Sequence, residues 1–323
     1  MKLQVSFSPH IRDQVTTASL MRDVVIALIP SCIAAGVIFG IRSVVVILVS
    51  VLSCVVFEYA ARRIMKRENT LSDFSAIITG ILLAFNLPPN IPYYMVVLGA
   101  FFAIIVTKQM FGGLGNNFVN PALAGRIFLV IAFPSAMTNW VVRQGSFDFI
   151  SSLSGVDLVS SATPLALAKA GSTELPSYLS LFLGNKGGSI GEVCILALLA
   201  GAIYLLARGV IKIWIPLTYI GTVVLLTALT GHDPLIHALS GGLILGAFFM
   251  ATDYVTSPTT RRGRIIFGIG CGLLTVLIRL FGNMAEGVSF SILLMNILTP
   301  HIDRWTEPKR FGEIREVRDA KRS

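Results

Sequence analysis

The segment at positions 157–163 collects carboxylate and hydroxyl side chains in a chain otherwise dominated by apolar residues. It reads Asp-Leu-Val-Ser-Ser-Ala-Thr and ends at Thr163, directly before Pro164. Because a residue before proline favours extended geometry and proline suits the first turn of a helix, we predict that Thr163 caps a short helix ending near Gly171. A hydroxyl there lies where the helix dipole favours a phosphate group. The alternative is an ordinary threonine cap without a chemical role.

A second polar segment, residues 108–122, combines glycines with three asparagines, Asn116, Asn117 and Asn120, ahead of an apolar run. Glycine lets a ligand approach the backbone closely. The segment nevertheless lacks the Gly-x-x-x-x-Gly-Lys spacing of a phosphate-binding loop. A flexible loop with an asparagine that caps the next helix explains it equally well, so the residues alone leave both interpretations open.

Three of the charged side chains within or beside the apolar runs are candidates for chemistry. Arg126 lies inside the fifth run and Arg279 near the end of the ninth. Since a guanidinium matches phosphate geometry, at least one of them is a candidate to neutralise a phosphate group at Thr163. The alternative is that both extend towards lipid headgroups. Glu286 opens the tenth run and is predicted to pair with Arg279, seven residues earlier.

The composition indicates the kind of protein that must position these residues. Hydrophobic residues make up 54% of the chain and charged residues 13%, with a mean hydropathy of +0.78. Soluble domains carry about 25% charged residues, so we predict an integral membrane protein. The net charge of +9 does not indicate nucleic-acid binding, because the basic residues occupy short loops and the C-terminal tail without a nucleic-acid motif.

Ten apolar runs are long enough to be transmembrane segments. They lie near 23–40, 43–61, 72–87, 91–107, 117–134, 190–208, 212–230, 235–252, 265–281 and 287–302. The sequence thus predicts an all-α polytopic membrane protein with a longer polar loop between the fifth and sixth helices. The predicted divisions are an N-terminal segment at 1–22, a five-helix unit at 23–134, the loop at 135–189, a second five-helix unit at 190–302 and a basic tail at 303–323.

The distribution of lysine and arginine predicts the orientation. Placing the N-terminus in the cytoplasm puts most basic residues inside, including the 62–67 and 261–264 clusters and the tail. Both termini are then cytoplasmic, and Thr163 is extracytoplasmic. Lys108 is counted in a cytoplasmic loop and Lys186 in the extracytoplasmic loop.

The two halves share a weak internal repeat. Gly80-Ile-Leu-Leu-Ala-Phe-Asn86 resembles Gly246-Ala-Phe-Phe-Met-Ala-Thr252-Asp253, and each is followed by a turn that contains proline and by another apolar run. Five helices per half would make the repeats inverted, as in many transporters whose sites lie at interrupted helices. Helices 3 and 8 are therefore predicted to be interrupted or half-spanning. Asn86 and Asp253 are the candidates for an ion path, because a polar group at a membrane-helix end is costly without a partner.

The order Asp157-x-x-Ser160-x-Ala162-Thr163 resembles the flavin-attachment signature of one family of membrane subunits. That family comprises the B subunit of the sodium-pumping NADH:quinone reductase and the D subunit of the Rnf complex. Its final threonine carries FMN through a phosphoester bond made by a dedicated flavin transferase, so the resemblance implies covalent FMN on Thr163. Ser161 stands where the signature usually has glycine.

Three other segments are similar to the same family, so the resemblance covers about residues 70–300. They are Gly112-Gly-Leu-Gly-Asn-Asn-Phe-Val-Asn120-Pro121, Phe249-Met-Ala-Thr-Asp-Tyr-Val-Thr-Ser-Pro258 and Glu286-Gly-Val-Ser-Phe-Ser-Ile292. The first apolar run starts near residue 23, whereas the reductase subunit usually has a longer N-terminal extension. This favours the Rnf branch of the family.

The resemblance implies a membrane component of an ion-translocating ferredoxin:NAD⁺ oxidoreductase in a prokaryotic cell membrane. Its partners would be the A, B, C, E and G subunits, with electrons passing between an FMN on the G subunit and the FMN on Thr163. Riboflavin, bound non-covalently in the related reductase subunit, is a further expected cofactor, and Na⁺ or H⁺ is the expected coupling ion. The chain itself would bind neither NADH nor ferredoxin.

Two alternatives remain at this point. One is the quinone-reductase subunit of the same family. The other is a channel or transporter without redox chemistry, because inverted five-helix repeats also build urea-transporter-like proteins. The four cysteines lie in apolar runs without Cys-x-x-Cys spacing, which predicts buried thiols and neither zinc nor an iron–sulfur cluster.

Overall fold

The computed structural model of the protein describes residues 16–143, 158–171, 176–184, 186–192, 194–282 and 286–307. Within these ranges the chain is mostly helical. The helices are α1 (Thr17–Phe39), α2 (Ile41–Ile64), α3 (Ser75–Phe85), α4 (Tyr93–Phe101), α5 (Pro121–Ala132), α6 (Pro134–Met137), α7 (Pro164–Lys169), α8 (Tyr178–Leu183), α9 (Ile195–Ala207), α10 (Trp214–Leu229), α11 (Pro234–Leu239), α12 (Leu243–Leu245), α13 (Arg261–Phe281) and α14 (Val288–Thr306).

Three of the described helices are long and apolar enough to cross a membrane: α1, α2 and α13. Several shorter apolar helices accompany them, and two helices continue into π-helical turns, Phe102–Gln109 after α4 and Gly246–Met250 after α12. Large apolar side chains remain exposed along the long helices, as expected for a lipid-facing surface. The prediction of a helical membrane protein is confirmed.

Helices pack closely where small residues face each other. A Cβ atom at Gly80 in α3 would lie 2.6 Å from the Val51 Cα atom in α2. The hydroxyl of Ser50 donates a 2.7 Å hydrogen bond to the carbonyl oxygen of Gly80 across the same contact. Small residues that let backbones approach, with hydroxyl bonds between helices, are typical of membrane helix packing. This contact holds the short helix α3 firmly against α2.

Helix α3 is only eleven residues long, about half of what a membrane span requires. A loop formed by residues 186–192 covers its C-terminal end: the Gly191 N–H donates to the Phe85 carbonyl oxygen at 2.9 Å, and the Ile190 N–H to the Leu87 carbonyl oxygen at 3.0 Å. Carbonyl groups at a helix end need such partners where water is scarce.

The eighth apolar run is also broken. It divides into α11, a reversal at Ser240, Gly241 and Gly242, and then α12 with its π-helical extension, which ends at Met250. Gly241 and Gly242 both have positive φ angles, +71° and +66°, a conformation that favours glycine. Short helices therefore occur at both positions where the repeat predicted interruption.

Other predicted boundaries shift for local reasons. The fifth run begins as helix only at Pro121, because the side chain of Asn120 caps the helix by accepting from the N–H groups of Ala122 and Leu123. The sixth run becomes helical only at Ile195, because its first residues belong to the loop that covers α3.

Candidate functional site

Thr163 lies at the N-terminus of α7, as the sequence predicted. Its backbone is extended and its hydroxyl oxygen accepts a hydrogen bond from the Ala166 N–H at 3.2 Å. A short antiparallel hairpin of Val141–Arg143 and Leu158–Ser160 leads into it, and the Ser161 N–H donates to the Trp140 carbonyl oxygen at 3.0 Å. The hairpin thus fixes the chain immediately before the threonine, whose side chain is nearly buried.

Thr163 opens into a cavity of about 450 Å³. The cavity lies between α5, α6, α7 and the start of α14, and its wall combines apolar, aromatic and polar groups. It is lined by Arg126, Ile127, Val130, Pro134, Met137, Thr138, Trp140, Ser161, Ala162, Thr163, Ala166, Glu286, Ser289 and Phe290. We call it the threonine cavity.

Arg126 is buried on the wall of the threonine cavity. Its guanidinium donates to the Asn86 side-chain oxygen at 2.6 Å and forms an ion pair with the Glu286 carboxylate. The expected pair between Glu286 and Arg279 is therefore wrong: Glu286 meets Arg126 from a distant part of the chain instead. A seven-residue spacing in sequence could not reveal this contact.

The wall also carries polar atoms without a partner among the described residues, namely the Ser289 hydroxyl oxygen and one Glu286 carboxylate oxygen. A guanidinium has more N–H donors than the two contacts of Arg126 use. An anion beside Thr163 could therefore reach this cation without displacing Glu286. Of the two unpartnered atoms, the Ser289 hydroxyl can donate to such an anion, whereas the Glu286 oxygen can only accept.

The other residues of the signature are only partly described. Ala162 lines the threonine cavity. Ser160 pairs through its backbone with Val141 in the hairpin. Asp157 lies outside the described residues. The structure therefore brings Thr163, Ala162 and Arg126 together and leaves the side chains at 157 and 160 without a structural account.

Arg279 does not line the threonine cavity. It is buried beside the C-terminal end of α11, where its guanidinium donates to the carbonyl oxygens of His237 at 2.6 Å, Ser240 at 3.0 Å and Gly241 at 3.2 Å. A cation at a helix C-terminus is favoured by the helix dipole. These three hydrogen bonds also provide donors for carbonyl oxygens that the break in the eighth apolar run leaves without helix partners.

Asn86 connects the threonine cavity to the helix interruptions. Its amide nitrogen donates to the Leu82 carbonyl oxygen at 2.6 Å and contacts the Met250 sulfur at 3.5 Å. The Asn120 amide in turn donates to the Met250 carbonyl oxygen at 3.3 Å. A line of buried polar contacts therefore runs from Arg126 through Asn86 to the place where α3 and the π-helical turn both end.

A second cavity, of about 90 Å³, lies beyond this line. Asp253, Asn120, Asn117 and Lys108 are among its lining residues, together with apolar side chains of α3 and α9. The Thr256 hydroxyl donates to the Asp253 carboxylate at 3.1 Å. Of the two sequence candidates for an ion path, Asn86 contacts Met250, and Asp253 lines the second cavity.

Sequence reasoning missed a buried ion pair beside the second cavity. The Lys108 ammonium lies 2.7 Å from the Glu58 carboxylate and donates to the Ser75 hydroxyl at 2.6 Å. Both charged side chains are almost fully buried, so Lys108 does not lie in a solvent-exposed loop. The sequence did contain one indication of this pair: Glu58 is an acid inside the second apolar run, where a charge needs a partner. Removing either charge would leave the other buried without its partner, which is strongly destabilising.

The loop that covers α3 contains two more buried charges that sequence reasoning did not single out. The Lys186 ammonium donates to the Leu239 carbonyl oxygen at 2.5 Å, and the Ser189 hydroxyl donates to the Glu192 carboxylate at 2.7 Å. Lys186 was expected in an exposed loop, whereas the structure buries it. A basic residue in a long polar loop carries no signal that the loop folds back into the protein.

Comparison with known proteins places the chain in the family that its sequence motifs resemble. The family model described as the NQR2, RnfD, RnfE family matches residues 4–312. The D subunit of the Na⁺-translocating ferredoxin:NAD⁺ oxidoreductase complex of Acetobacterium woodii is 47% identical over 99% of both chains. The D subunit of the proton-translocating complex of Clostridium ljungdahlii is 43% identical over 96% of both. The D subunit of the ion-translocating oxidoreductase complex of Cronobacter sakazakii is 38% identical over 97% of this chain and 99% of the relative. The chain therefore belongs to the NQR2, RnfD, RnfE family of membrane subunits.

Proposed function

We propose that this chain is the D subunit of an ion-translocating ferredoxin:NAD⁺ oxidoreductase and that it holds FMN covalently on Thr163. The full-length relatives named as D subunits support the first part. The observation that carries the second part is the threonine cavity itself. A capping hydroxyl and a buried arginine line one space of about 450 Å³.

The residues present fit FMN attached through its phosphate. The Thr163 oxygen can form the phosphoester bond and still accept the Ala166 N–H, because an ester oxygen keeps a lone pair. The Arg126 guanidinium offers remaining N–H donors to the phosphate. Trp140 and Phe290 give the cavity flat apolar surface suited to a ring system. Intact-mass measurement of the purified chain, looking for one added FMN, tests the proposal.

When bound, FMN supplies the redox chemistry of the site. The protein's own residues hold and tune the site. Arg126 fixes positive charge at the cavity wall, and its bond to Asn86 ties that charge to the end of α3. The negative charge of Glu286 partly offsets the positive charge of Arg126 on the cavity wall. Attachment to Thr163 prevents loss of the cofactor from a cavity on the extracytoplasmic side.

We further propose that Asn86, Asp253 and the second cavity belong to the path of Na⁺ or H⁺. The C-terminal ends of α3 and of the π-helical turn meet at the Asn86–Met250 contact, and helix C-termini attract cations. The line of contacts from Arg126 to Asn120 gives a physical route by which charge at the threonine cavity can influence this path.

Asp253→Asn is expected to lower ion pumping about tenfold or more while leaving covalent FMN unchanged, because it removes the carboxylate from the second cavity and contacts nothing near Thr163. Ion uptake by vesicles containing the complex and in-gel flavin fluorescence measure the two effects. Asp233→Asn is the matched control, since Asp233 caps α11 and asparagine caps equally well. Unchanged pumping in Asp253→Asn would exclude the carboxylate from the path.

The finer architecture is part of the same proposal: ten transmembrane helices in two inverted five-helix repeats, both termini cytoplasmic and Thr163 outside. The short helices at both repeat positions support it. Ala170→Cys, at an exposed position just after α7, is expected to react with a membrane-impermeant maleimide in intact cells. Arg67→Cys should react only after permeabilisation. The reverse pattern would contradict the orientation.

The expected partners are the A, B, C, E and G subunits, with electron exchange between the FMN on the G subunit and the FMN on Thr163. Non-covalent riboflavin stays a prediction. The second cavity offers polar groups for a flavin ring, but its volume of about 90 Å³ is far below that of the threonine cavity, so the ring does not fit without movement of the lining. Acid extraction of the purified complex, followed by chromatography, checks for released riboflavin.

A further inference from the structure

A third cavity, of about 120 Å³, lies on the other side of α7 from the threonine cavity. It sits between α7, α11 and the end of α13. Its lining residues are Leu165, Ala168, Lys169, His232, His237, Arg279 and Leu280. We call it the basic cavity, because its seven lining residues include a lysine, an arginine and two histidines.

The lining contains hydrogen-bonding atoms that nothing in the described protein satisfies. The Arg279 Nε atom and the His237 Nδ1 atom are both buried without a partner. The two side chains belong to residues that are 2% and 6% exposed, so water reaches them poorly. A guanidinium N–H can only donate, and an imidazole nitrogen can donate. Arg279 and His237 both line this cavity, and each has a nitrogen atom that could donate to a hydrogen-bond acceptor.

The charge of the cavity indicates that such an acceptor would be an anion. No carboxylate lines the basic cavity among the described residues. The Lys169 ammonium donates to the carbonyl oxygens of Arg279 and Gly282, which leaves one of its three N–H donors for another acceptor. Asp233 accepts from the Tyr178 hydroxyl and from the backbone at the start of α11. Its charge also acts on His237. The charges of Glu192 and Glu286 act on Arg279 from outside the lining.

The basic cavity is separate from the proposed flavin site. Neither Thr163 nor Arg126 lines it, and none of its lining residues lines the threonine cavity. It is also close to the lipid-facing surface, since Phe281, two residues after Arg279, is 80% exposed. A ligand could therefore enter from the membrane rim or from the adjoining water.

We propose that the basic cavity binds a phosphate-type oxyanion. Tetrahedral oxyanions accept several charge-assisted hydrogen bonds at once, and an arginine, a lysine and an imidazole provide such donors. The phosphate can belong to the headgroup of an anionic phospholipid or be free inorganic phosphate. Bound there, it bridges α7 to α11 and α13 and so steadies the helix that carries Thr163.

The test uses the purified complex in detergent, with two probes. The unfolding temperature is followed while inorganic phosphate replaces chloride at constant ionic strength, and native mass spectrometry follows retention of phosphatidylglycerol against phosphatidylcholine. One or both probes should bind the wild-type complex. Lys169→Gln should weaken that binding about tenfold, the cost of one charge-assisted hydrogen bond. Lys212→Gln, an exposed lysine outside the basic cavity, should leave it unchanged.

A phosphate effect without lipid retention identifies free phosphate as the ligand, and selective retention of phosphatidylglycerol identifies lipid. His237→Phe keeps a ring but removes both nitrogen atoms, and it should weaken binding as Lys169→Gln does. Agreement between the two variants would show that the loss does not come from altered packing around Lys169. Binding should persist in Thr163→Val, since the flavin phosphate lies in the other cavity. The proposal is overturned if neither probe binds the wild type, or if both basic-cavity variants bind as the wild type does.

Discussion

Thr163→Val is expected to abolish covalent flavin on this chain completely. Valine keeps the shape of threonine but has no hydroxyl with which to form a phosphoester bond, and the change lies at a helix cap whose loss costs only about 1 kcal/mol. The fold should therefore survive while the flavin is lost. In-gel fluorescence after denaturation, with the flavin transferase present, and intact mass of the chain measure the result.

Thr138→Val provides the matched control. Thr138 lines the same cavity, and its hydroxyl is engaged with the carbonyl oxygens of Pro134 and Ser135. This variant should keep its covalent flavin. A flavin adduct that persists in Thr163→Val, or an active wild-type complex with a bare Thr163, would disprove the proposed attachment site.

Arg126→Gln is expected to lower the stability of the fold and to reduce flavin occupancy. The side chains of Arg126 and Glu286 are 8% and 14% exposed, so the change leaves a nearly buried carboxylate without its cation. Breaking such a pair costs about 3 kcal/mol or more. The phosphate group proposed on Thr163 would also lose the arginine that lines its cavity. Thermal unfolding in detergent and the flavin-to-protein ratio measure both consequences.

The double variant Arg126→Gln with Glu286→Gln separates the two effects. It removes both charges, so much of the lost stability should return. Flavin occupancy should stay low because the cation is still missing. Arg42→Gln makes the same substitution at an exposed arginine that donates to the Asn90 carbonyl oxygen and should change neither quantity. If Arg126→Gln is as stable and as fully flavinylated as the wild type, Arg126 has no role at the site.

Several features of the structure could be predicted from residues that are close together in the sequence. Thr163 before Pro164 predicted a capped helix, and α7 has that cap. The apolar runs predicted a helical membrane protein, because a chain this poor in charge must satisfy its backbone within helices. The matching Gly80–Asn86 and Gly246–Asp253 segments marked the two places where short helices end. Each of these depends on residues that are close together in the chain.

Partners that are distant in the chain could only be decided by the tertiary structure. Arg126 pairs with Glu286, 160 positions away, and not with a neighbour in sequence. Lys108 pairs with Glu58, which removes it from the loop where its charge alone would place it. Arg279 turns to the end of α11 because the break there exposes carbonyl groups that need donors. In a low-dielectric interior each buried charge must meet an opposite charge or a dipole, and only the packing of helices determines which one is within reach.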